Sequence, residues 1–169
     1  MFVRHTWLIR ERAMEGKIEG ERIQVGQLAV VFLAKGADTH GHADVYEVHV
    51  PPGAKVPGAH HHVDVDEVIY GIEGVMTYVV GDALHAVGPG DRVLSPRGIV
   101  HWFENRGAVL ARSLIVATPA RMGPEYFRDV AALLKAGGPP NLEKIFAVMR
   151  QYGLEPQPLP SVARQTPAI

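Results

Sequence analysis

Cysteine is absent from the 169 residues, which excludes disulfides, thiolate nucleophiles and Cys-rich structural zinc sites. Any transition-metal site must be built from imidazole and carboxylate. Long apolar runs are missing too. The stretch from Met1 to Arg12 is broken by charge every few residues, unlike the apolar block of a signal peptide. No segment approaches the roughly 20 apolar residues of a membrane-spanning helix, so no membrane partner is expected and the cytoplasm is the expected compartment. Nor is there an excess of charge: 17 Lys and Arg against 18 Asp and Glu leave a formal net charge of −1. That balance gives no electrostatic ground for binding nucleic acid or an anionic surface. With no basic segment or helix-turn-helix pattern, a fused transcription factor is not expected.

What the chain does hold is histidine in a Gly- and Pro-punctuated framework, with 9 His, 18 Gly and 13 Pro. His60, His62, Glu67 and His101 combine three imidazoles and a carboxylate, a donor set able to hold one divalent transition metal ion (Fe, Mn, Ni, Cu or Zn) with coordination positions left open. In an extended strand side chains alternate faces, so His60 and His62 share a face while His61 points away. Glu67 lies an odd number of residues beyond His62, so a turn or bulge within Val63 to Asp66 must bring it round. Asp64 and Asp66 are rival carboxylates, and Glu67 is read as a ligand or as a base beside the metal. His101 follows the tight turn Pro96-Arg97-Gly98 and opens the apolar-rich segment Val100-His101-Trp102-Phe103. A second pair at the same spacing, His40 and His42, flanks Gly41 in a stretch that reads as an exposed loop. His5, His49 and His85 have no ligand-type partner at a useful spacing. They read as strand or surface residues, with His49, just before the Pro51-Pro52-Gly53 corner, also able to look toward a cavity.

These residues resemble a known family. Gly53-Ala54-Lys55-Val56-Pro57-Gly58-Ala59-His60-His61-His62-Val63-Asp64-Val65-Asp66-Glu67, followed after six residues by Gly74, is similar to the first motif of the cupins. Gly90, five residues, Pro96-Arg97-Gly98, two residues, His101, three residues and Asn105 match their second motif. Fifteen residues separate Gly74 from Gly90, the short spacer of small microbial members. One departure is a loop before His60 that is longer by one residue. The resemblance implies an all-β fold, the double-stranded β-helix or jelly-roll barrel, with the motif side chains pointing inward.

Along the chain, residues 1–20 read as an arm with Trp7-Leu8-Ile9 as its docking point, 21–120 as the barrel and 121–169 as a helical extension and tail. Short β-type runs at Leu28 to Ala34, Val45 to Val50, Glu67 to Ile72, Met76 to Val80, Arg92 to Ser95, Val100 to Glu104 and Val109 to Ala117 are separated by Gly, Pro and Asp. After Pro119 the period changes. Phe127, Val130, Ala131 and Leu134, then Leu142, Ile145, Phe146 and Met149, fall at i, i+3, i+4 and i+7 and predict two C-terminal α-helices packed on the barrel or a partner subunit. Pro124 suits the first turn of one, and Gly137-Gly138 stops it. Asn141 caps the other and Gly153 ends it. Pro156 to Ile169 reads as an extended tail.

Pro124-Glu125-Tyr126-Phe127-Arg128 and Met149-Arg150-Gln151-Tyr152-Gly153-Leu154-Glu155-Pro156 resemble small bacterial proteins grouped with quercetin 2,3-dioxygenases, a similarity spanning about residues 23–160. That resemblance implies a metal-dependent dioxygenase acting on a small hydroxylated aromatic. His60, His62 and His101 would hold the metal, and Glu67 would ligate it or accept a hydroxyl proton. Met76, Tyr78 and Phe103 would wall the substrate pocket; Phe103 is preferred over Trp102 because it shares a face with His101. A metal-dependent isomerase or lyase, and a non-catalytic small-molecule binding module, are the alternatives. Exposed sheet edges make a homodimer the expected assembly.

Overall fold

The computed structural model describes residues 20–135 and 139–164; Trp7-Leu8-Ile9, His5 and Gly137-Gly138 lie outside them. Ten strands come first: β1 (Glu21–Val25), β2 (Leu28–Ala34), β3 (Asp44–Val50), β4 (Ala59–His62), β5 (Asp66–Glu73), β6 (Met76–Val80), β7 (Ala83–Val87), β8 (Arg92–Ser95), β9 (His101–Glu104) and β10 (Ala111–Thr118). Helices α1 (Gly123–Lys135) and α2 (Leu142–Gln151) follow, then β11 (Leu154–Gln157) and a 3-10 turn at Ser161–Arg164. No helix among the described residues is long and apolar enough to cross a membrane.

The strands form two antiparallel sheets, ordered β1-β2-β3-β10-β5-β8 and β11-β4-β9-β6-β7. Alternation decides what each contributes to the space between them. On β3 the buried residues are Asp44, Tyr46, Val48 and Val50, and on β10 they are Ala111, Ser113, Ile115 and Ala117, each set interleaved with more exposed neighbours. Two glycines are required by geometry. Gly74, at φ 61°, turns β5 into β6, where a Cβ would come within 2.4 Å of the Leu110 carbonyl oxygen. Gly98, at φ 75°, closes the turn before β9, and its N–H donates to the His62 carbonyl at 2.8 Å. That bond ties the segment carrying His101 to the end of β4.

The helices close the barrel. Val130 and Ala131 of α1 and Ile145 and Met149 of α2 are buried, as their spacing predicts, whereas Leu142 at the start of α2 is exposed. Asn141 caps α2 by accepting the Lys144 N–H at 3.0 Å, and Gly153, at φ 77°, follows its last turn. Asp44, buried at the start of β3, accepts the N–H groups of Gly36 at 2.9 Å and Gly123 at 3.2 Å, which fixes the first residue of α1 against the sheet.

The C-terminal segment differs from the sequence reading. Pro156, expected to begin a tail, lies in β11 and pairs with His60. β11 is an edge strand, where a residue without an N–H removes no bond from the sheet interior.

Candidate metal centre

On β4 His60 and His62 are buried and His61 between them is half-exposed, so the register places the two imidazoles inside the barrel. His101, the first residue of β9, pairs directly with His60 across the sheet. The chain then turns through residues 63–65 into the opposite sheet, and there the inward positions of β5 start with Glu67. The ring centroids lie 4.5 Å (His60 to His101), 5.1 Å (His62 to His101) and 5.2 Å (His60 to His62) apart. One ligand-type nitrogen from each falls within 4.8 Å of the others, and no other such group of three or more donors occurs among the described residues. Glu67 faces this cluster from across the barrel, 3.4 Å from His62 Nε2 and 3.3 Å from His101 Nε2.

The surrounding bonds prepare the ring nitrogens. His60 Nδ1 lies 3.1 Å from the Gly58 carbonyl and His101 Nδ1 3.2 Å from that of Ile99. A carbonyl can only accept, so each Nδ1 carries the proton and each Nε2 is left with its lone pair, the arrangement usual for metal-ligating imidazoles. His62 Nδ1 is buried without a hydrogen-bond partner among the described residues, and Nε2 meets only the Glu67 carboxylate, at 3.4 Å and without hydrogen-bond geometry. A buried imidazole so poorly satisfied is costly, and a metal ion would satisfy it. Burial, together with the neighbouring His101 and His62, pushes the His60 pKa well below its usual value, so the ring stays neutral and able to ligate. Burial alone would raise the Glu67 pKa, but the His62 and His101 imidazoles outweigh it and hold the carboxyl well below its usual range. Three imidazoles and one carboxylate are a donor set that fits a divalent first-row ion.

The rival carboxylates are engaged elsewhere. Asp64 pairs with Arg121 at 3.0 Å, and Asp66 accepts the Arg97 backbone N–H at 2.8 Å and its Nε at 3.1 Å. His49 points outward, 2.7 Å from Glu47 and away from the cavity, because on β3 the inward positions belong to Val48 and Val50. His40 and His42 sit exposed in the turn between β2 and β3.

Around the histidines is a cavity of about 80 Å³. Tyr78 and Phe103 line it, with ring centroids 5.3 Å apart. Met76 is buried in the core but does not line the cavity, which corrects its expected place in the pocket wall. The register gives the reason: Val80 of β6 pairs with His101 and Tyr78 with Phe103, so Met76 falls a further step along the strand from the metal level. Trp102, on the opposite face from His101 and Phe103, packs with Ala59 and Val79 in a separate cluster.

Several residues that line the cavity were not assigned to it by the sequence reading. Met122 just before α1, Tyr126, Phe127 and Val130 from α1, and Ile145 and Met149 from α2 form its roof. Tyr46 of β3 donates its O–H to Glu67 Oε1 at 3.0 Å. Burial and the adjacent Glu67 charge push the Tyr46 pKa well above its usual value, so it remains a donor. The signal for it was available: a Tyr on the inward face of an alternating strand needs a partner for its hydroxyl.

Residues 46–117, which carry the three histidines, Glu67, and both sheets' central strands, match the family model described as a cupin domain. The barrel has the cupin fold. Solved structures superpose on it. A predicted oxalate decarboxylase from Thermotoga maritima superposes with a TM-score of 0.54 at 24% identity, over 61% of this chain and 94% of that one. The polyketide cyclase RemF from Streptomyces resistomycificus gives a TM-score of 0.53 at 25% identity, over 62% and 80%. A sugar phosphate isomerase from a cupin superfamily of Silicibacter pomeroyi gives 0.50 at 29% identity, over 57% of this chain and 62% of that one, less than two thirds of its length. Among curated proteins none matches the sequence.

Proposed function

We propose that this cupin is a metal-dependent dioxygenase that opens a small, uncharged, hydroxylated aromatic. The observation that carries the reading is the contrast inside the cavity. The polar groups gather at one point, His60, His62, His101 and Glu67 with Tyr46, and the remaining wall is almost wholly aliphatic and aromatic. No Lys or Arg is among the lining residues. A phosphate or an oxalate brought into such walls would lose its hydration with no cation to replace it. That argues against the anionic substrates in the names of two structural relatives and in favour of a neutral ring. The volume agrees, being well below the roughly 300 Å³ and upward of clefts for drug-sized ligands.

When bound, a divalent ion would supply Lewis acidity toward a phenolic or enolic oxygen, with open positions for dioxygen. His60, His62 and His101 would hold it, His60 and His101 through Nε2. Glu67 accepts the proton of the substrate hydroxyl, a transfer typically worth about a hundredfold to ten-thousandfold in rate. Tyr46 keeps one carboxylate oxygen fixed, so the other is the one free to move the proton. Phe103, Phe127 and the aliphatic wall orient the ring and exclude water.

The test is anaerobic reconstitution with Fe, Mn, Ni, Cu and Zn in turn, followed by flavonols or simpler hydroxylated aromatics and then oxygen. Oxygen uptake with ring opening is expected for at least one redox-active ion; none with any ion contradicts the reading. The similarity to RemF supports a second reading, a metal-dependent isomerase or lyase using the same residues. Turnover that proceeds equally without oxygen would favour it.

A further inference from the structure

The two sheets differ on their outer faces. On the five-stranded sheet the outward side chains Ala59, Val79 and Trp102 are buried, packed with Val56, Val100 and Val162 of the C-terminal 3-10 turn. On the six-stranded sheet the outward apolar side chains stay open: Leu33 is 41%, Val68 42%, Tyr70 45% and Leu94 53% exposed. Register joins them into one patch. Val45 pairs with Val116, Val116 with Val68 and Val68 with Leu94, so an unbroken apolar row crosses β3, β10, β5 and β8, with Leu33 beside it on β2. In the next row Leu114 pairs with Tyr70. A sheet face left to water ordinarily carries polar side chains at these positions.

The size and border of the patch say what fits it. On the order of 500 Å² of apolar surface lies open there, toward the top of the range for a monomer's largest patch, and with its border the face approaches the roughly 800 Å² per partner of a specific dimer. In that border Arg112 lies 2.8 Å from Glu47 and 3.1 Å from Glu73, and His49 lies 2.7 Å from Glu47. These charges balance one another within the chain. The face therefore offers no surplus of cations to an anionic surface, and nothing in it repels an identical face. A two-fold dimer sets the same patch against itself, which an apolar centre with a balanced border satisfies.

We infer that the outer face of the six-stranded sheet is the docking surface for a second copy of this chain, apolar row against apolar row. The contact is face to face, whereas the sequence reading expected pairing at sheet edges.

The test is sedimentation equilibrium of the full chain over about 1 to 100 μM, which brackets the weak end of interfaces of this size. Wild type is expected at twice the 18.4 kDa of one chain. Val68→Glu/Leu94→Glu should weaken the dimer by more than about a hundredfold and sediment as a monomer, because like charges then meet across the contact. Val68→Lys/Leu94→Lys should do the same alone, and an equimolar mixture of the two variants should recover the dimer, which happens only if the two faces meet. Val109→Glu, at a 62% exposed residue outside the patch, should leave the dimer intact. Wild type that is monomeric throughout, a dimer that survives in the glutamate variant, or charge variants that stay monomeric when mixed overturns the inference. If the charged variants lose the wild-type circular dichroism, Val68→Thr/Leu94→Thr takes their place. Its dissociation constant should rise at least about tenfold, and an unchanged one overturns the inference.

Discussion

The chain contains two His-x-His pairs, and the structure treats them in opposite ways. His60 and His62 lie on β4, where alternation turns both rings inward, cross-strand pairing adds His101 and the Gly58 and Ile99 carbonyls set the tautomers of His60 and His101. His40 and His42 lie in a turn, with His40 itself at φ 54°, and both are exposed. The Thr39 hydroxyl bonds the N–H and carbonyl of Ala43 across that turn, so its backbone is as defined as a strand but does not repeat. Identical spacing yields a site only where the backbone repeats with the same period as the ligands. Nor do His40 and His42 belong to any group of three donors among the described residues.

Glu67→Gln should sharpen this contrast most, since it removes the group that distinguishes a catalyst from a metal holder. Turnover is expected to fall about a hundredfold to ten-thousandfold while the three imidazoles keep the metal, measured by activity and metal content on the same sample. His101→Ala reduces the strand pair to two ligands, like the turn pair. Metal affinity should fall by more than about a hundredfold in competition with a chelator, and retention of wild-type affinity would break the comparison. Tyr46→Phe frees one Glu67 oxygen, and a loss of about tenfold in metal affinity is expected, with the fold intact by circular dichroism.

The smallest effect concerns Asp66, the carboxylate beside Glu67 in sequence. Its hydrogen bonds from the Arg97 side chain and backbone lower its pKa to about 2, below the roughly 3.9 of an unfolded Asp. A depressed folded pKa contributes stability above about pH 4 that is lost as pH falls toward 2. Asp66→Asn should therefore flatten the acid limb of stability between those values and leave metal content unchanged. A loss of metal at neutral pH would mean that Asp66 and not Glu67 serves the site.

The legible parts were those set by short-range periodicity. The His60 and His62 register, the turn before His101, the exposed His40-Gly41-His42 loop, the Asn141 cap and the change of period after Pro119 each follow from neighbours in sequence. The parts that were not legible depend on contacts between distant segments. The Tyr46 to Glu67 bond joins β3 to β5, the roof needs α1 and α2 folded back over the barrel, and β11, which follows both helices in sequence, pairs with the distant β4. Met76 shows the limit within one strand: alternation gave its face correctly but not its depth relative to the metal level. The helical stripes predicted that Ile145 and Met149 are buried, not that they cover the metal cavity.

The most direct measurement is metal stoichiometry in two double variants, His60→Ala/His62→Ala and His40→Ala/His42→Ala, each reconstituted with the same ion and dialysed. The turn variant should retain roughly one equivalent per chain, like wild type, and the strand variant should retain none. Equal retention by the two, or loss from the turn variant, would contradict the assignment of the metal to the barrel interior.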